Sequence, residues 1–126
     1  MGNIGGNSSA IIQVQTTTQN DIGEDVQNWK DVHSFKGWLD LSTGDSNSVN
    51  FSAKIQESTH IFLCDYFPLQ YCTEDKPDEI NKITAENSRM VVDGDIYEVA
   101  IYDDPMNMHE HLEIYLKYVG GNDHGS

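Results

Sequence analysis

The sequence predicts a mainly β fold, a small antiparallel β-barrel or sandwich of about six strands with a long loop and little helix. Three observations carry that expectation. Short β-rich runs recur along the chain with Gly, Asn, Asp and Pro between them. Asp93-Gly94 separates two such runs, the strongest short-range hairpin signal. The stretch "HLEIYLKYV" (111–119) alternates Leu112, Ile114, Leu116 and Tyr118 against Glu113, Tyr115, Lys117 and Val119, the period of a half-buried strand.

In chain order, residues 1–9 ("MGNIGGNSS") are rich in Gly, Asn and Ser and are expected to form a flexible arm. The segment 10–18 ("AIIQVQTTT") is β-branched, with Ile12, Val14 and Thr16 on one face. "QNDIGED" (19–25) has turn chemistry. The run 26–41 reads as one long strand or two shorter ones, with Trp29 and Trp38 as its large apolar anchors. A polar loop, 42–50, follows. Strand character returns over 51–67, where Phe51, Ala53 and Ile55 alternate with Ser52, Lys54 and Gln56. Its second half, "HIFLCDYF", has the apolar density of a strand buried on both faces. The stretch 68–88 holds two of the three prolines and many charges. It is expected to be a long surface excursion in which Ile80 and Ile83 pin a short helical turn. The hairpin 89–99 and the strand 111–119 complete a single domain over 10–119, and "GGNDHGS" (120–126) reads as a flexible tail. No internal repeat is visible.

A chain of 126 residues supports one core. Six Tyr, four Phe and two Trp supply bulk that a disordered chain lacks. The formal charge is −14, from 21 Asp and Glu against 7 Lys and Arg, and Arg89 is the single arginine. That balance argues against a nucleic-acid reader, which needs clustered cations, and against docking on anionic membranes. No signal peptide or spanning segment is expected, because no apolar run approaches about 20 residues. "MGNIGG" departs from the myristoylation pattern at Gly6. Cys64 and Cys72 show no C-x-x-C spacing, and Cys64, inside an apolar run, reads as a reduced buried thiol.

The search for chemistry is short. His109 and His111, with Asp103 or Asp104 nearby, have the spacing of two metal ligands on one strand face, but no third and fourth ligand follow. No metal is expected. Cys64 and His60, four residues apart on a strand, stand about 13 Å from each other, too far for a nucleophile–base pair. The cluster Glu74, Asp75, Asp78 and Glu79 lacks the order of a calcium loop and reads as a solvated charge run. "STGDSNS" has no Lys and is not a phosphate loop. Asp93, Asp95 and the run Asp103-Asp104-Pro105 read as turn residues. The expectation is therefore a protein without catalytic residues or cofactor.

One pattern spans residues 10 to 119. Gly23 precedes Trp29 in "QNDIGEDVQNWKDV", "GWLDLSTGD" follows, Ser58-Thr59-His60 opens "STHIFLCDY", and Arg89 through Val99 forms the hairpin "RMVVDGDIYEV" before the closing strand. This order resembles the head–tail joining, or head-closure (stopper), proteins of long-tailed bacteriophages. The chain departs from them at Asp65-Tyr66, where such proteins usually carry Arg-Tyr, and in the longer, more acidic 68–88. The resemblance implies a structural virion protein, made in the bacterial host cytoplasm and placed at the head–tail interface. It would form a homo-oligomeric ring between a portal-side adaptor and a tail-side completion protein, close to packaged double-stranded DNA and away from membranes. By position it makes Ser42, Thr43, Gly44, Asp45, Ser46, Asn47 and Ser48 the channel-gating loop. The 73–88 excursion, with Glu74, Asp75, Asp78 and Glu79, is the second choice of gate or a surface that docks a partner. Two alternatives stand beside this: a tail-completion protein of the same neck, and a small β-barrel ligand-binding module with Trp29, Trp38 and Tyr66 lining a pocket.

Overall fold

In a computed structural model, described over residues 5–41 and 58–121, the β-rich runs form eight strands. They are β1 (Ser8–Gln19), β2 (Asp25–Leu41), β3 (His60–Asp65), β4 (Gln70–Tyr71), β5 (Asn81–Lys82), β6 (Ser88–Val92), β7 (Asp95–Asp103) and β8 (His111–Gly121). A single 3-10 turn, Pro105–Asn107, is the only helical element among the described residues. The polar loop at 42–50 and the alternation at 51–57, including the gating residues Ser42 to Ser48, lie outside the described residues.

Six strands close into an antiparallel barrel in the order β1-β2-β3-β8-β7-β6, while β4 and β5 pair separately. The expected barrel is therefore present. Alternation sorts the side chains. Ala10, Ile12 and Val14 of β1, Phe62 and Cys64 of β3, Met90 and Val92 of β6, Tyr97 and Val99 of β7, and Leu112, Ile114 and Leu116 of β8 make one buried cluster. Ile12, Phe62, Met90, Leu112, Ile114 and Leu116 are each 0% exposed. A barrel this small fills its interior with side chains, so its axis is a core and not a passage.

Two seams complete the closure. β1 pairs with β6 from Ala10↔Val92 to Val14↔Ser88. Among the described residues, β2 pairs with β3 over four residues, Trp38↔Leu63 to Leu41↔His60. At the second seam Gly37 is buried. A Cβ there would press into the Leu63 carbonyl and the Phe62 ring, whose Cζ would lie 2.8 Å away. The absent side chain is what lets the Phe62 ring approach β2 this closely. The Asp93-Gly94 turn is as expected: φ is 49° and 93°, both left-handed as a two-residue hairpin demands. Asp93 also ties the hairpin to β1, since its N–H donates to Ser9 O (2.9 Å) while its Oδ1 accepts from Ser9 N (3.0 Å).

Three local expectations need correcting. Trp29 and Trp38 are not core anchors, being 36% and 45% exposed. β2 has a bulge, where the register against β1 jumps from Ile12↔His33 to Gln13↔Asp31. That irregularity inverts which residues of β2 face inward. The second correction concerns β3, which is fully buried on one face only, through Phe62 and Cys64, with Ile61 and Leu63 half-buried. Third, Ile80 and Ile83 do not pin a helical turn. Ile83 is buried, held by its N–H to Leu69 O (2.9 Å), and Ile80 is exposed beside the short β4–β5 pair.

Two measurements follow from this packing. Gly37→Ala should lower stability by about 1–3 kcal/mol, the usual cost of overpacking, seen as a lower midpoint in urea unfolding. Burial, aided by Asp65, pushes the Cys64 thiol up to about 12, whereas Cys72 is exposed. A thiol reagent at neutral pH should label one cysteine of the native protein, Cys72, and both after denaturation.

Candidate functional site

The barrel has two unlike rims. At one rim lie the Asp93-Gly94 turn, the end of β2 at Leu41, the start of β3 and the end of β8. The connection from β2 to β3 leaves and returns there. At the other rim lie the continuation of β1 and β2, the 66–87 segment and the loop 104–110. Leu41 lies at the first rim, the predicted gating residues Ser42 to Ser48 are outside the described residues, and Glu74, Asp75, Asp78 and Glu79, all exposed, sit between β4 and β5 beyond the second rim.

The most unusual element is an arm. The ladder of β1 with β6 ends at Val14↔Ser88, but β1 and β2 remain paired to Gln19↔Asp25. Five residue pairs, from Gln15↔Trp29 onward, therefore project as a two-stranded ribbon roughly 17 Å long. Polar rungs stiffen it: Gln15 Nε2 donates to Gln27 Oε1 (2.9 Å) and Asn28 Nδ2 to Thr18 Oγ1 (2.9 Å). At the tip, Asn20 Oδ1 accepts from Ile22 N (3.0 Å) and Glu24 N (2.9 Å), the local bonding that suits Asn to turns. Ile22, at the apex, is 77% exposed.

At the root of the arm, the Arg89 guanidinium lies 4.2 Å over the Trp29 ring, and its Nε donates to Gln13 Oε1 (2.7 Å). A cation held on an aromatic face is favourable, more so when partly desolvated, and burial lowers the Arg89 pKa. Beside this pair is an open groove of about 350 Å³, lined among others by Glu86, Glu98, Ile96 and Val119. One hint is visible in the chain itself, a lone arginine among many acidic residues. The partners Gln13, Trp29 and Arg89 come from three strands, so the stack itself needed the register.

The first rim carries an aromatic cluster in which the Tyr97 ring meets His60 at 5.1 Å and Tyr118 at 5.5 Å. Thr59 Oγ1 accepts from Tyr118 N (2.8 Å) and contacts His60 Nδ1 (2.8 Å). Burial, then Asp95, Tyr118 and Asp93, raise the Tyr97 pKa. His60 is thus an aromatic partner at the rim, and Cys64 faces the core. The two are not joined.

At the second rim the candidate ligands are taken up pairwise. Asp104 accepts from His109 N (2.9 Å) and contacts His109 Nδ1 (2.5 Å), while His111 Nε2 meets Glu113 Oε2 at 3.1 Å. Among the described residues no group of three or more His, Cys, Asp or Glu is arranged to hold a metal. The Asp104 bonds clamp a tight loop in which Met106, Asn107 and His109 all have positive φ (56°, 55° and 57°), conformations that cost energy in side-chain-bearing residues. Tyr66 stacks on His109 at 4.5 Å. Burial, then Glu113 and Asp104, raise the Asp103 pKa against the opposing effect of His111. Trp29 lines the groove, but Trp38 and Tyr66 do not, so the three aromatics named for a pocket are not brought together.

Comparison with known proteins returns no matching family and no matching curated protein.

His33 offers a test of this geometry. Its ring lies 4.0 Å from Phe67 and 5.3 Å from Phe35, and burial lowers its pKa below the ordinary 6.5. The unfolded chain then binds the proton first, so the stability that His33 supports is present above pH 6.5 and is lost as pH falls below it. His33→Phe keeps the aromatic packing and should flatten this part of the stability profile in chemical denaturation between pH 7.5 and 5.5, a window set by the histidine range (about 6.5).

Proposed function

We propose that this protein is a structural component of a bacteriophage neck, a head-closure protein that assembles as a ring and retains the packaged DNA. The observation that carries the reading is the two-ended architecture: a filled barrel whose two rims send out different segments. A joint between two unlike partners needs two unlike faces held at fixed separation, and a rigid barrel core supplies that. The arm and the β4–β5 tip, with Glu74, Asp75, Asp78 and Glu79, would face one neighbour, the tail-side partner. The 42–48 segment would leave the opposite rim as the gate. Because the barrel interior is filled, the DNA channel would be enclosed by several copies and not by one barrel. A charge of −14 suits that role, since an acidic wall repels DNA and lets it slide. The segment order of the sequence and the barrel support this reading together.

The test is a lysate of the phage or prophage carrying a deletion of this gene, examined by electron microscopy. Separate tails beside heads that have lost their DNA, with joining restored by the purified protein, are expected. Normal virions would overturn the reading. Filled heads without tails would move the protein to the tail-completion role.

One observation favours a second reading, a ligand-binding module. It is the groove at the Arg89–Trp29 stack, where the carboxylates of Glu86 and Glu98 stand beside Ile96 and Val119. A metabolite screen that raises the melting temperature of the native protein but not of Arg89→Ala would support it by mass action.

A further inference from the structure

Four strands contribute directly opposed residues to one row on the outside of the barrel: Gln13 of β1, Arg89 of β6, Glu98 of β7 and Lys117 of β8. Residues so placed share a face, with Cβ atoms about 4.5–5.5 Å apart, and opposite charges there attract. Arg89 and Glu98 have the right charges and the right register. Among the described residues, however, no ion pair joins them. The arginine goes the other way. It lays its guanidinium on the Trp29 ring and donates through Nε to Gln13, which is itself held by Asp31. The cation is thereby fixed on the side of β1 and β2, half-buried, while Glu98 stays exposed across from it. Both line the groove of about 350 Å³, together with Glu86, Ile96 and Val119. With 21 Asp and Glu in the chain, carboxylates are abundant, yet none pairs with Arg89 among the described residues.

We propose that the groove binds a free α-amino acid with an aliphatic side chain. Arg89 takes the ligand's carboxylate, Glu98 with Glu86 takes its ammonium group, and Ile96 and Val119 receive the side chain. Each part of the ligand answers a feature of the groove. A guanidinium anchored through Nε and stacked on an aromatic ring keeps the N–H groups of its two terminal nitrogens, which match a carboxylate. Burial disfavours the charge of Arg89, and a bound carboxylate offsets that cost. A phosphate or other polyanion would meet the two glutamates. A simple cation would meet the arginine. A ligand with both charges on neighbouring atoms satisfies both sides at once, and a groove of this volume holds one small molecule.

The inference rests on the ligand-binding reading and leaves the neck reading untouched. NMR titration of the native protein with L-leucine tests it, beside L-leucinamide, which lacks the carboxylate, and N-acetyl-L-leucine, which lacks the ammonium group. L-leucine should bind about tenfold or more tighter than either, because each analogue leaves one charge of the groove unmatched. Glu98→Gln, at an exposed position, should lose the preference over N-acetyl-L-leucine and keep the preference over L-leucinamide. Arg89→Gln should do the reverse, its fold checked by its own NMR spectrum. No shift with L-leucine up to its solubility limit overturns the inference, as does equal binding of the three probes, or a Glu98→Gln protein that keeps both preferences. A metabolite of another class that protects the native protein but not Arg89→Ala, with L-leucine inert, would overturn this inference and leave the ligand-binding reading standing. L-leucine inert and the whole metabolite screen silent would overturn both.

Discussion

The four-residue ladder between β2 and β3 is the constraint on which the rest of the structure depends. Among the described residues it ties with the β6–β7 ladder as the shortest of the barrel's six seams, and, with no tight turn joining its strands, it turns an open sheet into a closed one. Closure puts Phe35 and Leu39 of β2 against the core cluster around Phe62. Fully burying a side chain of that size contributes roughly 1.5–3 kcal/mol, so a seam that seals many such groups matters far beyond its own hydrogen bonds. Gly37 sits where the seam and the core meet, and the close approach of Phe62 depends on it having no side chain.

Unequal strand lengths then generate the surface features. β1 and β2 have 12 and 17 residues, whereas their outer neighbours β6 and β3 have 5 and 6. The excess has nowhere to pair within the barrel, so it leaves as a ribbon with polar rungs and an exposed Ile22. A two-stranded ribbon is marginal by itself. Here its root is pinned by the Arg89–Trp29 stack and by Gln13, which donates to Asp31 (2.8 Å) and accepts from Arg89.

Much of the barrel was legible in the sequence, because the β6–β7 hairpin and β8 obey simple rules. Asp93-Gly94 supplied the left-handed turn, and Leu112, Ile114 and Leu116 alternated inward as expected. β2 was not legible in this way. Six of its seven large apolar residues, Val26, Trp29, Val32, Phe35, Trp38 and Leu41, recur every third position, with Leu39 the exception, a spacing that no strand face can collect. The bulge between Asp31 and His33 then shifts the parity once more, and this depends on pairing with β1 and not on local sequence. The same holds for the candidate site. The exposure of the acidic cluster could be read from composition, but its place at the rim opposite Leu41 follows only from the topology. His109 and His111 looked like a pair because spacing is visible in a sequence, while the competing acceptors Asp104 and Glu113 take effect only in three dimensions.

The position of β8 between β3 and β7 has a consequence for the order in which the fold is assembled on the ribosome. β8 is the last strand in the chain, yet it carries two of the barrel's ladders. As the chain emerges, β1, β2 and β3 have their mutual partners, and the β6–β7 hairpin can add to β1. That leaves a curved five-stranded sheet with β3 and β7 as bare edges and with Phe62 and Val99 facing the gap. The strand that closes it also brings Leu112, Ile114 and Leu116, so sealing and filling happen in one step. Since synthesis adds about 5–20 residues per second, the β8 stretch of 11 residues takes on the order of a second to follow its partners. Through that interval the nascent chain exposes two unpaired edges, the state in which strand-rich chains are most prone to pair with the wrong neighbour.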